Sequence, residues 1–490
     1  MQNDPHDFLK TRHYYALEMF KTDGYRDNSD MRRGNLSAKW TFDLTPQSSL
    51  RAGVRMYTTD FNAPGYLPQS EWDAGNYRKS LFPFDGGKKD RREVNLNYNY
   101  ALSANDNIGI TFFSYSSDLT RFADFGGGQR EEHNSLNGNM LKALYSKRGN
   151  YFTMEDTLLA GVDILRESGN STRWCTDKRV RGGDPLRCTT GTAPSLDREF
   201  VMNSYAAFVQ GEARPIEPLK LTLGARYDMF KGELNRTVGS PLGSFDNNLN
   251  VFSPKAGALY TLAPGYDLFG NVGSGFQLPD DFAKFDNPDL KPTRLVSYEI
   301  GTRFRPTSRI RGSLAYFVTD SRDEIVTVID PVRGPLLVNK GKTRRQGVEA
   351  ELNAALTEAL MVFGSFTYND PKYKDFIDAG NDFSGKRIVG VPRYLFSAGL
   401  DYLDARGFGG RLTVRGIGER KLTDDNTQST GGYAVVDASA YYRWKGYTFD
   451  IKASNILDKR YSDAIFYFSG GPQYGVSLPF NIMASVKTDF

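Results

Sequence analysis

The sequence predicts an all-β fold, a transmembrane antiparallel up-and-down β-barrel of about 20 strands. Three observations predict it. Apolar and polar residues alternate along runs longer than the ~5–6 residues of an ordinary strand. Aromatic residues make up 13% of the 490, with 28 Tyr and 33 Phe beside 49 Gly. Tight turn signals alternate with long polar segments, the asymmetry of a barrel whose hairpins close tightly at one end and widely at the other.

The alternation is strict in several places. Val94, Leu96, Tyr98 and Tyr100 interleave with Asn95, Asn97 and Asn99. Leu219, Leu221, Leu223, Ala225, Tyr227 and Met229 interleave with Lys220, Thr222, Gly224, Arg226 and Asp228. Tyr447, Phe449, Ile451 and Ala453 repeat the pattern, and a last run leads from Val476 to Phe490. One face is apolar and the other polar, as a strand between lipid and a wet lumen requires. Turn signals fall at 45–49, 103–107, 146–150, 214–218, 263–266, 306–309 and 404–407. Long polar segments lie between them, at 61–89, 167–198, 233–247, 276–293, 371–387 and 462–475. Up-down alternation then puts 61–89 and 167–198 outside the cell and 103–107 and 214–218 in the periplasm.

Other classes fit less well. The net charge is +4 and the basic residues are scattered, without the basic stripe of a nucleic-acid protein. Two cysteines form no CxxC pair, so neither a disulfide scaffold nor a structural zinc site is expected. Mean hydropathy is −0.50, and no run approaches the ~18 apolar residues of a membrane helix. A propeller would show a blade repeat of ~40–50 residues, and none is found. The opening MQNDPHDFLKTRHYY has no apolar run or cleavage site of an export signal.

One stretch is more specific than any pattern. Residues 273–306 read GSGFQLPDDFAKFDNPDLKPTRLVSYEIGTRFRP, an aromatic-Pro loop followed by Asn-Pro-x-Leu-Lys-Pro and Tyr-Glu-x-Gly. With GYRDNSD at 24–30, GVEAEL at 347–352 and NILDKRY at 455–461, the chain resembles the TonB-dependent outer-membrane receptors, in their C-terminal β-barrel. Thr293 departs from the family, which often carries Glu there. The resemblance implies a barrel of about 20–22 strands, incomplete at its N-terminus, filling residues 1–490 as one domain. The family's plug and TonB-engaging segment have no counterpart before Tyr14. A piece of a longer product is therefore expected, unable by itself to perform energised import. Expected partners are outer-membrane lipid, the barrel-assembly machinery reading terminal Phe490, TonB only through the absent plug, and a small-molecule ligand such as an iron–siderophore complex. No cofactor, nucleic-acid partner or metal site is expected.

Candidate chemistry is sparse. Gly380, Gly385 and Lys386 have P-loop spacing, but Arg387 stands where Ser or Thr must bind magnesium, and no helix follows. No HExxH or GxSxG motif and no catalytic constellation is found, so the chain is not expected to be an enzyme. His6, His13 and His133 are expected at the surface, and Asp280–Asp281 and Asp424–Asp425 as solvated charge rather than calcium ligands. Cys175 and Cys188 share one long outer loop and are expected to form a disulfide in an oxidising location, against the alternative of two thiols. Ferric siderophores are bulky, often anionic and partly aromatic, so Arg, Tyr, Trp and Phe are the expected contacts. Two segments have that composition: Tyr66, Trp72, Tyr77, Phe82 and Phe84, then Arg121, Phe122, Phe125 and Arg130. The competing reading of each is an interface girdle or loop self-packing.

The function expected is the barrel of a TonB-dependent importer of a ferric siderophore. Cobalamin, haem and oligosaccharide receptors share that barrel, and a passive porin-like channel or a soluble all-β binding protein are the rivals.

Overall fold

The computed structural model describes residues 10–124, 129–150, 154–176, 193–239, 242–278, 290–330, 334–339, 341–378, 380–468 and 470–488. Among the described residues twenty strands form one sheet, from Lys10–Thr22 to Asn481–Thr488, and every pairing in it is antiparallel between sequence neighbours within the sheet. This is the up-and-down order the alternation predicts. The turns at one end are short. Trp444 pairs with Tyr447 across Lys445 and Gly446, both at positive φ (46° and 84°), the two-residue turn whose twist matches that of its strands.

The outward face carries the apolar set of each alternation. Leu223, Ile300, Leu314, Ile451 and Ile482 are among its most exposed residues, which is tolerable only against lipid. Tyr227, Tyr298, Tyr316, Tyr368 and Tyr394 stand toward the loop end, and Tyr260, Tyr266, Tyr402 and Tyr447 toward the turn end. These are the two aromatic girdles expected of a membrane barrel.

The segments predicted as loops are partly strand. Predicted loop 233–247 is almost wholly strand, since Leu219–Val238 and Gly243–Ala263 pair up to Arg236↔Gly243. Predicted loop 167–198 likewise loses Glu167–Cys175 to one strand and Leu196–Arg198 to the next. The reason is physical. A 21-residue strand such as Leu196–Ile216 is about 70 Å long and climbs about 50 Å when tilted near 40°, twice an apolar band of ~25 Å. Above that band both faces meet water or loops, so the apolar alternation stops while the hydrogen-bond ladder continues. Phe200, Met202, Phe230 and Leu234 pack as a buried cluster there, with Leu136, Leu249 and Leu278 against it.

The lumenal face is built from a recurring three-layer unit. A glycine on one strand receives an aromatic ring from its neighbour, and a cation covers the ring. Tyr115 lies on Gly138, where an added Cβ would come within 2.2 Å of the ring, and the Arg91 guanidinium stands 4.6 Å from its centroid. The same arrangement joins Gly161, Phe208 and Lys142; Gly301, Phe269 and Arg303; Gly399, Phe363 and Arg411; and Gly409, Tyr441 and Arg443. Rings on glycines tie adjacent strands, and each cation–π contact contributes roughly 0.5–1 kcal/mol at an exposed site. Arg226 further joins Asp163 at 2.7 Å and Asp228 at 2.9 Å, so the wall presents paired charges to the lumen.

Among the described residues the first strand pairs only with Met31–Thr45, and the last only with Tyr447–Ser454. The seam between them is crossed at the loop end instead. There Gln473↔Pro68 and Tyr474↔Leu67 form a short ladder between the last long connection and the first.

Candidate functional site

The candidate site is the rim that the long connections build around the open end of the sheet. Its first part is made by residues 23–30, which turn between the first two strands. Arg26 is 8% exposed, and its guanidinium donates to the carbonyl oxygens of Pro64 (3.3 Å), Lys79 (2.6 Å) and Gly65. Burial pushes its pKa below the ordinary guanidinium value. Asn28 holds a positive φ of 55° and its amide donates to Phe82 (2.6 Å), Asp85 (2.9 Å) and Ala63 (3.3 Å) carbonyls. Two side chains of GYRDNSD therefore shape the whole 63–85 connection.

That connection contains one helical turn, Gln69–Asp73, and packs across the seam. Trp72 stacks on Tyr474 at 4.6 Å and meets Tyr77 edge-on at 5.1 Å. Tyr66 meets Phe466 edge-on at 5.0 Å, and Leu67 beneath them is wholly buried. The last connection, residues 455–480, supplies these partners from its own hairpin, Ile465–Phe468 with Gly471–Tyr474. Its Arg460 reaches the Tyr25 hydroxyl at 3.3 Å and lies 5.5 Å from the Tyr77 ring.

Similar clasps continue around the rim. Buried Arg420 donates to the Asp463 (2.6 Å) and Ser462 (2.9 Å) carbonyls. Asn426, at φ 63°, exchanges two hydrogen bonds with the Arg387 backbone, at 2.7 and 2.9 Å. Asn455, at φ 52°, bonds the Lys459 backbone and the Leu478 carbonyl. Asp424 accepts from the Tyr373 hydroxyl at 2.7 Å, and Asp425 caps its own turn through Thr427. Connections 23–30, 63–85, 376–393, 418–432 and 455–480 thus form one continuous arc across the seam.

The sequence of the chain matches the family described as TonB dependent receptor-like, beta-barrel, over residues 22–456. The chain belongs to this family. It is 27% identical over 304 residues to the ferric-pyoverdine M114 receptor PbuA of Pseudomonas sp. strain M114, covering 59% of the chain and 36% of that receptor. It is 26% identical over 346 residues to the ferrichrome outer membrane transporter/phage receptor of Escherichia coli K12, covering 64% and 43%. The chain thus spans less than half the length of these curated relatives. The unliganded ferric citrate transporter FecA has the same fold, with a TM-score of 0.81 at 16% identity over 98% of the chain and 76% of that structure.

In this receptor barrel the residues singled out in the sequence divide into groups. Tyr66, Trp72 and Tyr77 come together at the seam, with Tyr25, Phe466 and Tyr474. Phe82 packs on Gly65, and Phe84 is 49% exposed. Arg121 and Phe122 are in a strand, opposite Gly87 and Gly86 where the first connection ends. Arg130 stands in the next strand, opposite Ala123 and Cys175. Asp85, between the two groups, accepts the backbone N–H of Asp124 at 3.0 Å, and burial raises its pKa. Cys175 ends its strand buried and disulfide-bonded. Phe125, Cys188, Asp280–Asp281 and Phe490 lie outside the described residues. His133 contacts Glu131 at 2.8 Å and the Trp174 ring at 5.0 Å. Sequence reasoning missed Arg26, Asn28, Arg420, Asn426 and Asn455 as organisers of the rim. GYRDNSD carried a signal for the first two, but a buried arginine among polar loop residues has no mark of its own.

Proposed function

We propose that this chain is the outer-membrane barrel of a TonB-dependent importer, and that its rim takes up a ferric siderophore. The reading is carried by the family match over residues 22–456 together with a rim whose connections are held as one arc by buried clasps. A pre-organised mouth loses little conformational entropy on binding. Its exposed residues have the right chemistry. Tyr66 and Phe84 offer aromatic surface, and the guanidinium of Arg460 stands beside Tyr25 and Tyr77. Arginine and aromatic faces suit bulky, anionic, partly aromatic chelates. The relatives named as a ferric-pyoverdine receptor and a ferrichrome transporter support the same ligand class. Terminal Phe490 is proposed as the assembly signal.

The test supplies the complete gene to a strain lacking its own siderophore receptors. Uptake of radiolabelled iron is measured with hydroxamate, catecholate and mixed-ligand siderophores, with TonB present and deleted. Uptake that needs both the gene and TonB supports the reading. Iron uptake indifferent to the gene, with passive leakage of small solutes, would replace it by the porin-like alternative.

A further inference from the structure

The end of the barrel opposite the rim carries an unbalanced charge. The hairpin that joins Thr293–Thr307 to Ile310–Arg322 reads RFRPTSRIR over residues 303–311, four arginines without a carboxylate. All four are exposed, and none forms an ion pair among the described residues. Cations in other turns at this end have partners. Arg214 meets Glu155 at 3.3 Å, Arg406 meets Asp404 at 2.8 Å, and Lys220 meets Glu212 at 2.6 Å.

Register explains the difference. Asp267 stands opposite Arg303, Arg303 opposite Ser313, and Ser313 opposite Glu351, so one lumenal row holds one arginine and two carboxylates. These carboxylates accept from Thr261 at 2.8 Å and from Asn353 at 3.3 Å, and Arg303 lies over the Phe269 ring. Two residues nearer the turn, a second row holds Arg305 and Arg311, across from each other at a break in the ladder's register. Its flanks are Gly265, whose carbonyl accepts the Arg305 N–H at 2.6 Å, and Asn353, opposite Arg311. Neither flank is acidic, and like charges across a strand pair destabilise a sheet. Both rows line one hollow of about 430 Å³, within the roughly 300–1,000 Å³ that holds small ligands.

We propose that this hollow is a second binding station of the lumen, at the end away from the rim, and that it takes an iron chelate of net negative charge. The choice of a chelate rests on the importer reading; the sign of its charge comes from the arginines. Three catecholates on ferric iron leave a trianion, whereas three hydroxamates leave a neutral complex. The guanidinium forks of Arg305 and Arg311 and the Asn353 amide can donate to the oxygens of such an anion. Its charge offsets the repulsion between the two arginines, and a neutral chelate leaves that repulsion in place. Asp267 and Glu351 repel the anion from the first row, toward the second row beside the opening.

The test uses the full chain folded in detergent micelles and phenylglyoxal, which modifies accessible guanidiniums. Peptide mass mapping follows each arginine with no addition, with a ferric tris-catecholate, with a ferric tris-hydroxamate, or with inorganic phosphate. The tris-catecholate should slow modification of Arg305 and Arg311 at least about tenfold and leave Arg309, at the turn, unchanged. The tris-hydroxamate should leave all three rates as they are. Asn353→Asp places an acid in the second row and should remove most of the protection, with both arginines still present to be read. Equal protection by the two chelates, or none by either, overturns the proposal, and that comparison needs no variant to fold. Equal protection by inorganic phosphate at the same concentration also overturns it, as an anion site with no preference for a chelate. Iron uptake separates this from the functional reading. Uptake restored by the complete gene without protection overturns only this inference, whereas protection without uptake of any chelate overturns only that reading.

Discussion

Arg26 and Asn28 act through backbone carbonyls, so their substitutions separate the clasp from the ligand chemistry. A buried carbonyl left without a donor costs about 1–3 kcal/mol, and Arg26 serves three of them. Arg26→Ala is expected to loosen residues 63–85 while the strands stay paired. Trypsin on intact cells should then cut at Arg78 or Lys79 at least about tenfold faster, and an unchanged cutting rate would defeat the assignment. Asn28→Gly keeps the left-handed backbone but removes the amide, so it should loosen the same segment to a smaller degree. Cys175 belongs to the same scale. We expect it to be joined to Cys188, closing a loop whose cross-link restricts the unfolded chain by ~3 kcal/mol. Mass mapping without reduction that found both residues alkylated would remove that bond.

At the scale of the element, the lumenal units make glycine a packing requirement. A Cβ on Gly138 would sit 2.2 Å from the Tyr115 ring, whereas one on Gly211 would meet nothing within 4 Å. Gly138→Ala is therefore expected to cost about 1–3 kcal/mol as an overpacked contact, and Gly211→Ala close to nothing. The readout is the temperature at which the folded barrel loses its fast-migrating form on a gel. Equal temperatures for the two variants would mean that the ring moves aside freely. The same scale explains the strand boundaries. The alternation that reveals Leu219–Met229 ends where the outward face leaves lipid, although the ladder with Gly243–Ala263 continues to Arg236.

For the whole molecule, the meander fixes which connections share an end. With the rim outside, a cysteine introduced at Ser70 should react with a membrane-impermeant reagent on intact cells, and one at Glu217 should not. Efficient labelling at Glu217 would invert the barrel. The seam is a second property of the whole. Trp72 and Tyr474 are far apart in the chain but stacked at 4.6 Å, and an aromatic pair of this kind contributes about 0.5–1.5 kcal/mol beyond its burial. Tyr474→Ala is expected to lower the melting temperature of the folded barrel measurably. The change should be larger than that from Tyr467→Ala, on the same hairpin. Equal shifts would show that the bridge does not hold the two ends.

The sequence by itself determined the strand period, the two faces, the alternation of tight and long connections and the family, because each is a local repeat or a contiguous motif. It named aromatic residues of the first long connection as ligand contacts from composition. The fold uses Trp72, Tyr77 and Phe82 at least partly to pack that connection. The tertiary structure alone decided the rim and which charges stand side by side along the wall. Arg26 with Lys79, Arg420 with Asp463, and Trp72 with Tyr474 are contacts between hairpins. Arg294, Arg322 and Lys342 become a row only through the register of three strands. A period of two tells which side of the wall a residue faces; which residues stand beside it depends on how the strands slide past one another, and no single strand encodes that.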